Sequence, residues 1–180
     1  MERPIIFSAD SVRAILDGRK TQTRRVVRPS QQRYDVPPWN VDRLWVREQV
    51  RAEELPSGLD GVRYRADNAF IPIENSESAA DKWLDLWHYR RAPNRVHDHP
   101  GNWVPPIHMP RWASRITLAV QSARVECLQG ISDDDINAEA YDSRDAFVAA
   151  WDKLNAKRGL RWADNPWVWV IEFSVHEFRR

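Results

Sequence analysis

Short apolar bursts follow one another along this chain, some alternating with polar residues and others spaced three and four apart, and prolines and glycines mark the breaks between them. PIIFSADSVRAILDGRK reads as a brief strand and then a helix capped by Ser8, with Val12, Ile15 and Leu16 on one face and Gly18 as its stop. TQTRRVV is β-branched at Thr21, Thr23, Val26 and Val27, and its alternation places the Thr21 and Thr23 hydroxyls on one side of a strand. Lys20 then falls in the turn before that strand. Pro29, Pro37 and Pro38 interrupt regular structure, and DRLWVREQV resumes it, with Leu44 and Val46 on one face and Trp45 and Arg47 on the other.

GVRYRADN offers a short third strand, after which clear strand periodicity is lost from about residue 68 to 101. Within that stretch Trp83, Leu84, Leu86 and Trp87 predict a turn or two of amphipathic helix before the polar segment RRAPNRVHDHPGN, so the region reads as an insertion or lid. RITLAVQSARVECL alternates through Ile116, Leu118 and Val120 and changes phase before Val125, predicting a long, bent strand. Ser132 and Asp135 have the spacing of a capping box, opening a short helix with Glu139 near its end. A second helix carries Phe147, Ala150, Trp151 and Leu154 as a buried stripe and stops at Gly159. In the closing NPWVWVIEFSV, Trp167, Trp169, Ile171 and Phe173 share one strand face. About six strands and three or four short helices, without regular strand-helix-strand alternation, predict a single small α+β domain over residues 1–180, built on a curved sheet or barrel.

Composition narrows the class. With 180 residues, 42% of them hydrophobic, and ten tryptophans, the chain can bury one core. No apolar run approaches the ~18 residues of a membrane span, no basic-then-apolar leader stands at the start, and the single Cys127 has no disulfide partner. The expectation is a soluble, cytoplasmic protein without membrane association. A net charge of +1 does not announce a nucleic-acid binder. Arg19, Lys20, Arg24, Arg25, Arg28 and Arg33 nevertheless fall within fifteen residues with no acid among them, which predicts either a positive patch for a polyanion or phosphorylated ligand, or an ordinary solvated surface.

Familiar chemistry is mostly missing: no phosphate-binding glycine loop, no G-x-S-x-G elbow and no H-E-x-x-H are present. His97-Asp98-His99 lacks a third ligand at a known spacing, and no metal is expected. Cys127 reads as a buried, inert thiol in a strand, and most tryptophans read as core. Trp39, Trp103 and Trp112, in proline-rich segments, are candidates to line a pocket by stacking. GRKTQTRR stands out because the chain has only four lysines against twenty-three arginines. An amine can lose its proton when desolvated or crowded by cations, whereas a guanidinium effectively does not. Lys20 is therefore either a base able to activate Thr21 or Thr23, or a cation that complements a helix end.

Several motifs together carry a resemblance. ILDGRKTQTRR after the first strand and helix, DRLWVREQV, LQGISDDDINAEAY and the closing WVWVIEF are similar to the ASCH family of the PUA-like superfamily, and IHMPRWASRITL resembles its bacteriophage and prophage members. The likeness spans the chain apart from about residues 68–101. It implies a small PUA-like β-barrel with flanking helices, a cleft for nucleobases or RNA, and a bacterial host cell as the setting. Some small bacterial members of that family are similar to amidohydrolases that deacylate the exocyclic amine of acetylated cytidine, with the pattern G-R-K-T-x-T-x-R. By that resemblance Lys20 is the base, Thr23 the nucleophile and Glu139 the proton donor. Val41 in place of a glycine, Ala140 where many relatives have glycine, and the middle insertion depart from the pattern and bear on the substrate.

The three residues make chemical sense together. A threonine hydroxyl needs a base within reach, and an amide needs its leaving nitrogen protonated. Arg24 or Arg25 would stabilise an oxyanion or hold a phosphate or ribose, and strand alternation allows only one of them to face the cleft. His108 and Arg111 are further candidates for lining it, against the alternative of a proline-fixed turn. The expected partner is a modified nucleoside or nucleobase, or RNA. Besides deacylation, two readings stand: a module that binds RNA or a modified base without reaction, and a ribonuclease. None of the three demands a cofactor.

Overall fold

The computed structural model describes residues 1–27, 41–90 and 100–179. Trp39, Arg28, Arg33 and the His97–His99 triplet lie outside them. Among the described residues the elements run β1 (Glu2–Ile6), α1 (Ala9–Leu16), β2 (Gln22–Val26), β3 (Arg43–Arg47), β4 (Val50–Glu54), β5 (Asp60–Tyr64), β6 (Phe70–Pro72), α2 (Glu77–Trp87), β7 (Ile116–Cys127), α3 (Asp133–Ala138), α4 (Arg144–Asn155) and β8 (Trp167–Phe178), with several single 3-10 turns. This is an α+β fold with two sheets, one of five strands in the order β1-β3-β7-β8-β2 and one of three in the order β4-β5-β6. Neither strand order closes on itself, so no closed barrel forms among the described residues, contrary to the expected small barrel. The tight turn after β4, where Gly58 takes φ +79, folds β4 back on β5, and the short 65–69 connection does the same for β6. Those local pairings make a separate meander of strands that the sequence pattern assigned to one curved sheet. No helix among the described residues is long and apolar enough to cross a membrane.

The chain divides into two compact units: Met1–Arg3, Ala14–Leu44 and Leu118–His176 form one, and Pro4–Arg13, Trp45–Thr117 and Glu177–Arg180 the other. In the first unit β2 pairs antiparallel with β8 in the register Thr23↔Ile171, Arg24↔Val170, Arg25↔Trp169. Leu128, Ile131, Ile136, Phe147, Trp151, Val168 and Val170 make its apolar cluster, so α3 and α4 cover the Val168/Val170 face of β8. Trp169, Ile171 and Phe173 are buried on the opposite face, which is why VWVI reads as a continuous apolar run. Trp167 departs from the expected core face and is 54% exposed, because it sits at the strand's entry. Leu154, read as part of the α4 stripe, is likewise exposed: Phe147 and Trp151 already complete the helix's contact with the sheet.

The second unit packs Val50, Ala52, Val62 and Tyr64 of its three-stranded sheet against Trp83, Leu86 and Trp87 of α2 and against Val104, Met109 and Ala113. The region read as an insertion therefore contributes β6 and the buried face of α2 to this core. Helix α2 starts at Ser76, whose hydroxyl accepts a hydrogen bond from the Ala79 amide, and Trp83 donates its indole N–H to the Gly61 carbonyl at 2.8 Å.

Candidate functional site

Lys20 owes its position to the end of α1. Gly18 takes φ +72, letting the chain reverse, and the amides of Arg19 and Lys20 both donate to the Ala14 carbonyl at 2.9 and 3.0 Å. Thr21 then donates its amide to Ala138 at the end of α3, at 2.9 Å, and accepts one from Phe173. The segment is thus pinned between the last turn of α3 and β8 before β2 begins. Capping of α3 fixes the other half: Ser132 accepts from the Asp135 amide, Asp135 returns a bond to the Ser132 amide, and Glu139 is the C-cap residue. Ala140 follows with φ +64, a left-handed conformation that explains why glycine suits this position.

These two turns bring Lys20 and Glu139 into direct contact across 119 residues of sequence. The ammonium donates to a Glu139 carboxylate oxygen and, at 3.0 Å, to the Glu139 carbonyl, and both side chains are about 5% exposed. Burial drives the Lys20 amine below its ordinary 10.5; the Glu139 charge and hydrogen bond oppose this, and Arg25 and Arg24 add to it. The remaining Glu139 oxygen, Oε1, is buried without a hydrogen bond and lies 3.6 Å from Arg24 Nη1.

Strand alternation separates the rest into two faces. Gln22 and Arg24 point to the side of α3. Arg24, 5% exposed, donates through Nη2 to Glu126 at 2.7 Å and Asp135 at 3.0 Å. Gln22 reaches Asp135 at 2.9 Å, and Arg124 joins Glu126, Asp135 and Glu172. Burial works against ionisation of Asp135, but hydrogen bonds from Gln22 and the Ser132 backbone, with the Arg24 charge, hold its carboxyl at about 2. Thr23 and Arg25 take the opposite face. Thr23 is 4% exposed and Arg25 half-buried, with its guanidinium lowered by burial against the pull of Glu139. The cross-strand neighbour of Arg25 is Trp169, whose indole N–H is buried without an acceptor.

The structure thus brings together Lys20, Glu139 and Arg24, and puts Arg25 rather than Arg24 on the face of Thr23. Thr21, the other hydroxyl weighed for activation, is exposed. His108 and Arg111 belong to the second unit, where both are exposed and the His108 ring lies 5.7 Å from Tyr89. Cys127 is only half-buried, at the end of β7. Of the cations in the patch read from the sequence, Lys20 and Arg24 are buried on carboxylates, Arg19 is exposed and lies 3.3 Å from Asp17, and Arg28 and Arg33 fall outside the described residues. Among the described residues no three His, Cys, Asp or Glu side chains gather as a metal site. Sequence reasoning missed the Gln22, Glu126, Arg124, Asp135 and Glu172 network, and the signal was present as polar residues at the inward-facing parity of strands, Gln22 and Glu172 being register partners. Comparison with protein-family models, curated proteins and solved structures finds no match.

Proposed function

We propose that the chain is a metal-independent amidohydrolase of the PUA-like, ASCH type, removing an acyl group from the exocyclic amine of a cytidine-type nucleoside or base. The observation that carries this reading is the buried contact between Lys20 and Glu139. Desolvation disfavours charge on the amine, and the tautomer with a neutral amine and a protonated carboxyl presents a base and an acid side by side. Lys20 takes the Thr23 hydroxyl proton, the hydroxyl oxygen bonds to the acyl carbon, and the carbonyl oxygen becomes negative. Arg25 and the Trp169 N–H, on the same strand face as Thr23, are the donors available to that oxygen. Glu139 then protonates the leaving nitrogen as the C–N bond breaks. Water attacks the resulting ester and gives a proton to Glu139, while Lys20 returns its proton to Thr23, so a free acid and a free amine leave and the enzyme is restored.

A second reading has an observation of its own. The described hydrogen bonds of the Lys20 amine go to Glu139 rather than to Thr23, which suits a fixed element in a module that binds RNA or a modified base without reaction. The deciding experiment follows product formation from a panel of N4-acylated cytidines, with end-labelled RNA alongside. Wild type should release free cytidine and leave RNA intact, and Thr23→Ala, Lys20→Ala and Glu139→Gln should each cut turnover by about 10²-fold or more while circular dichroism confirms folding. Turnover untouched in all three sinks the assignment. Binding without product moves it to the second reading, and cleaved RNA to the ribonuclease one.

A further inference from the structure

The second unit contains a cavity of about 560 Å³, within the usual range of small-molecule sites and sharing no lining residue with the Lys20–Glu139 pair. Its back wall is held rigidly. Arg115, with no exposed side-chain surface, makes paired hydrogen bonds to Glu48 at 2.8 and 3.0 Å and to Asp67 at 2.8 and 3.0 Å. Its guanidinium stacks 4.1 Å over the Tyr64 ring, whose hydroxyl donates to the Ala113 carbonyl at 2.8 Å. Arg179 spends its guanidinium on the Trp112 and Ser114 carbonyls. These two arginines shape the cavity rather than define what enters it, four of the five Arg115 N–H donors being committed to Glu48 and Asp67.

Three other features do. Thr117 lines the cavity, is 5% exposed, and its hydroxyl makes no hydrogen bond among the described residues. Lys82, also on the lining, has no hydrogen-bond or ion-pair partner among the described residues, and Arg111 adds a second positive charge nearby. Helix α2 opens at the cavity through Ser76 and Ser78, adding the positive end of its dipole. Ile71, Ile73 and Trp112 contribute apolar lining with one aromatic ring. Glu74 and Glu177, both exposed, add carboxylate acceptors to the lining.

We infer that this cavity is a binding site for an amino-bearing aromatic anion of the nucleoside monophosphate class. The acidic group meets Lys82, Arg111 and the start of α2, Thr117 completes a polar edge, the flat ring lies against Trp112 and the isoleucines, and Glu74 and Glu177 accept its N–H groups. The inference stands apart from the chemistry assigned to Lys20, and either holds if the other fails.

Titration of the full chain with AMP, phenyl phosphate and inorganic phosphate, followed by calorimetry and by backbone amide shifts, tests it. AMP should bind saturably, with shifts at Lys82, Trp112 and Thr117. Phenyl phosphate, which offers no N–H donor, should bind about tenfold more weakly, and inorganic phosphate more weakly still. Lys82→Glu, at an exposed position, should weaken AMP about tenfold or more, and the near-isosteric Thr117→Val severalfold, both with unchanged circular dichroism. Lys20→Ala should leave AMP binding as it is. Any of three results overturns the inference: no saturable AMP binding by the folded wild type, shifts centred on residues around Lys20, or phenyl phosphate binding as tightly as AMP. AMP affinity unmoved in both the Lys82 and Thr117 variants does so as well.

Discussion

At the scale of single residues, the choice of lysine within GRKTQTRR is the point on which the proposed chemistry turns. Desolvation lowers the Lys20 pKa from 10.5, and the neutral amine is the form that can accept the Thr23 proton. In the proposed tautomer the Lys20–Glu139 pair holds one proton, so the deacylation rate should fall as pH rises far enough to strip it, and the fall should come below the usual lysine range. A kcat/KM profile against pH checks this, and a profile flat through that region would count against Lys20 as base. Lys20→Arg keeps the charge but effectively cannot deprotonate, so it should bind ligand and fail to turn over. Stability follows its own linkage: the folded chain binds fewer protons than the unfolded one between the lowered pKa and 10.5, so this residue's contribution to stability rises with pH there. Trp169→Phe removes the unaccepted indole N–H and keeps the ring. If that N–H serves the developing oxyanion, turnover should fall by roughly 10-fold or more with stability unchanged or improved, by thermal melting. How much of the site could be read follows from where its residues lie. Lys20 was legible through the chain's bias to arginine. The roles of Arg24 and Arg25 were not, because alternation separates them but only the pairing with β8 says which face carries the acids.

At the scale of elements, the turn after α3 carries the strain and the capping box carries the order. Ala140 sits at φ +64 with its amide bonded to Asn137 at 2.9 Å, a helix end that glycine adopts at lower cost. Ala140→Gly should raise stability by about 1 kcal/mol, measured by urea unfolding, while leaving Glu139 in place and turnover unaltered. Asp135 works in the other direction. Held at about 2 rather than 3.8, it favours the folded state above pH 3.8, and that contribution is lost as pH falls toward 2. Asp135→Asn should therefore cost on the order of 2 kcal/mol at pH 7 and nearly nothing at pH 2, comparing unfolding midpoints. The capping box was legible because Ser132 and Asp135 are local, and so was α4, whose Phe147 and Trp151 are buried at the expected spacing. Leu154 and Trp167 misled because periodicity identifies a face but not where that face stops being covered. Glu48 shows a parity that sequence reading passed over: it continues the buried series Leu44, Val46, and its burial is possible only because Arg115, sixty-seven residues away, meets both of its oxygens.

Across the whole molecule, many of the described arginines are spent internally. Arg24 faces Glu126 and Asp135, Arg63 and Arg51 share Glu53, Arg115 holds Glu48 and Asp67, and Arg124 reaches three acids. A sequence with net charge +1 can look locally basic when its acids lie far away in the chain; folding brings the partners together, and no spacing rule reveals which cation will be consumed. The fold class suffered from the same non-locality, since an α+β mixture was readable from short elements, but the division of strands between two sheets depends on the turns after β4 and β5. This bears directly on the choice between catalysis and RNA binding. Were the six cations from Arg19 to Arg33 all free to neutralise phosphates, single-stranded RNA binding would fall with salt at a log-log slope of about −4. With Lys20 and Arg24 buried on carboxylates, the expected slope is about −3 or shallower, and RNA affinity should be low at physiological salt. Fluorescence anisotropy of a labelled single strand across a salt series measures it. A slope near −4 would require the buried ion pairs to open toward RNA and would favour the binding module, whereas a shallow slope leaves the buried Lys20–Glu139 pair to be explained by chemistry on a small substrate.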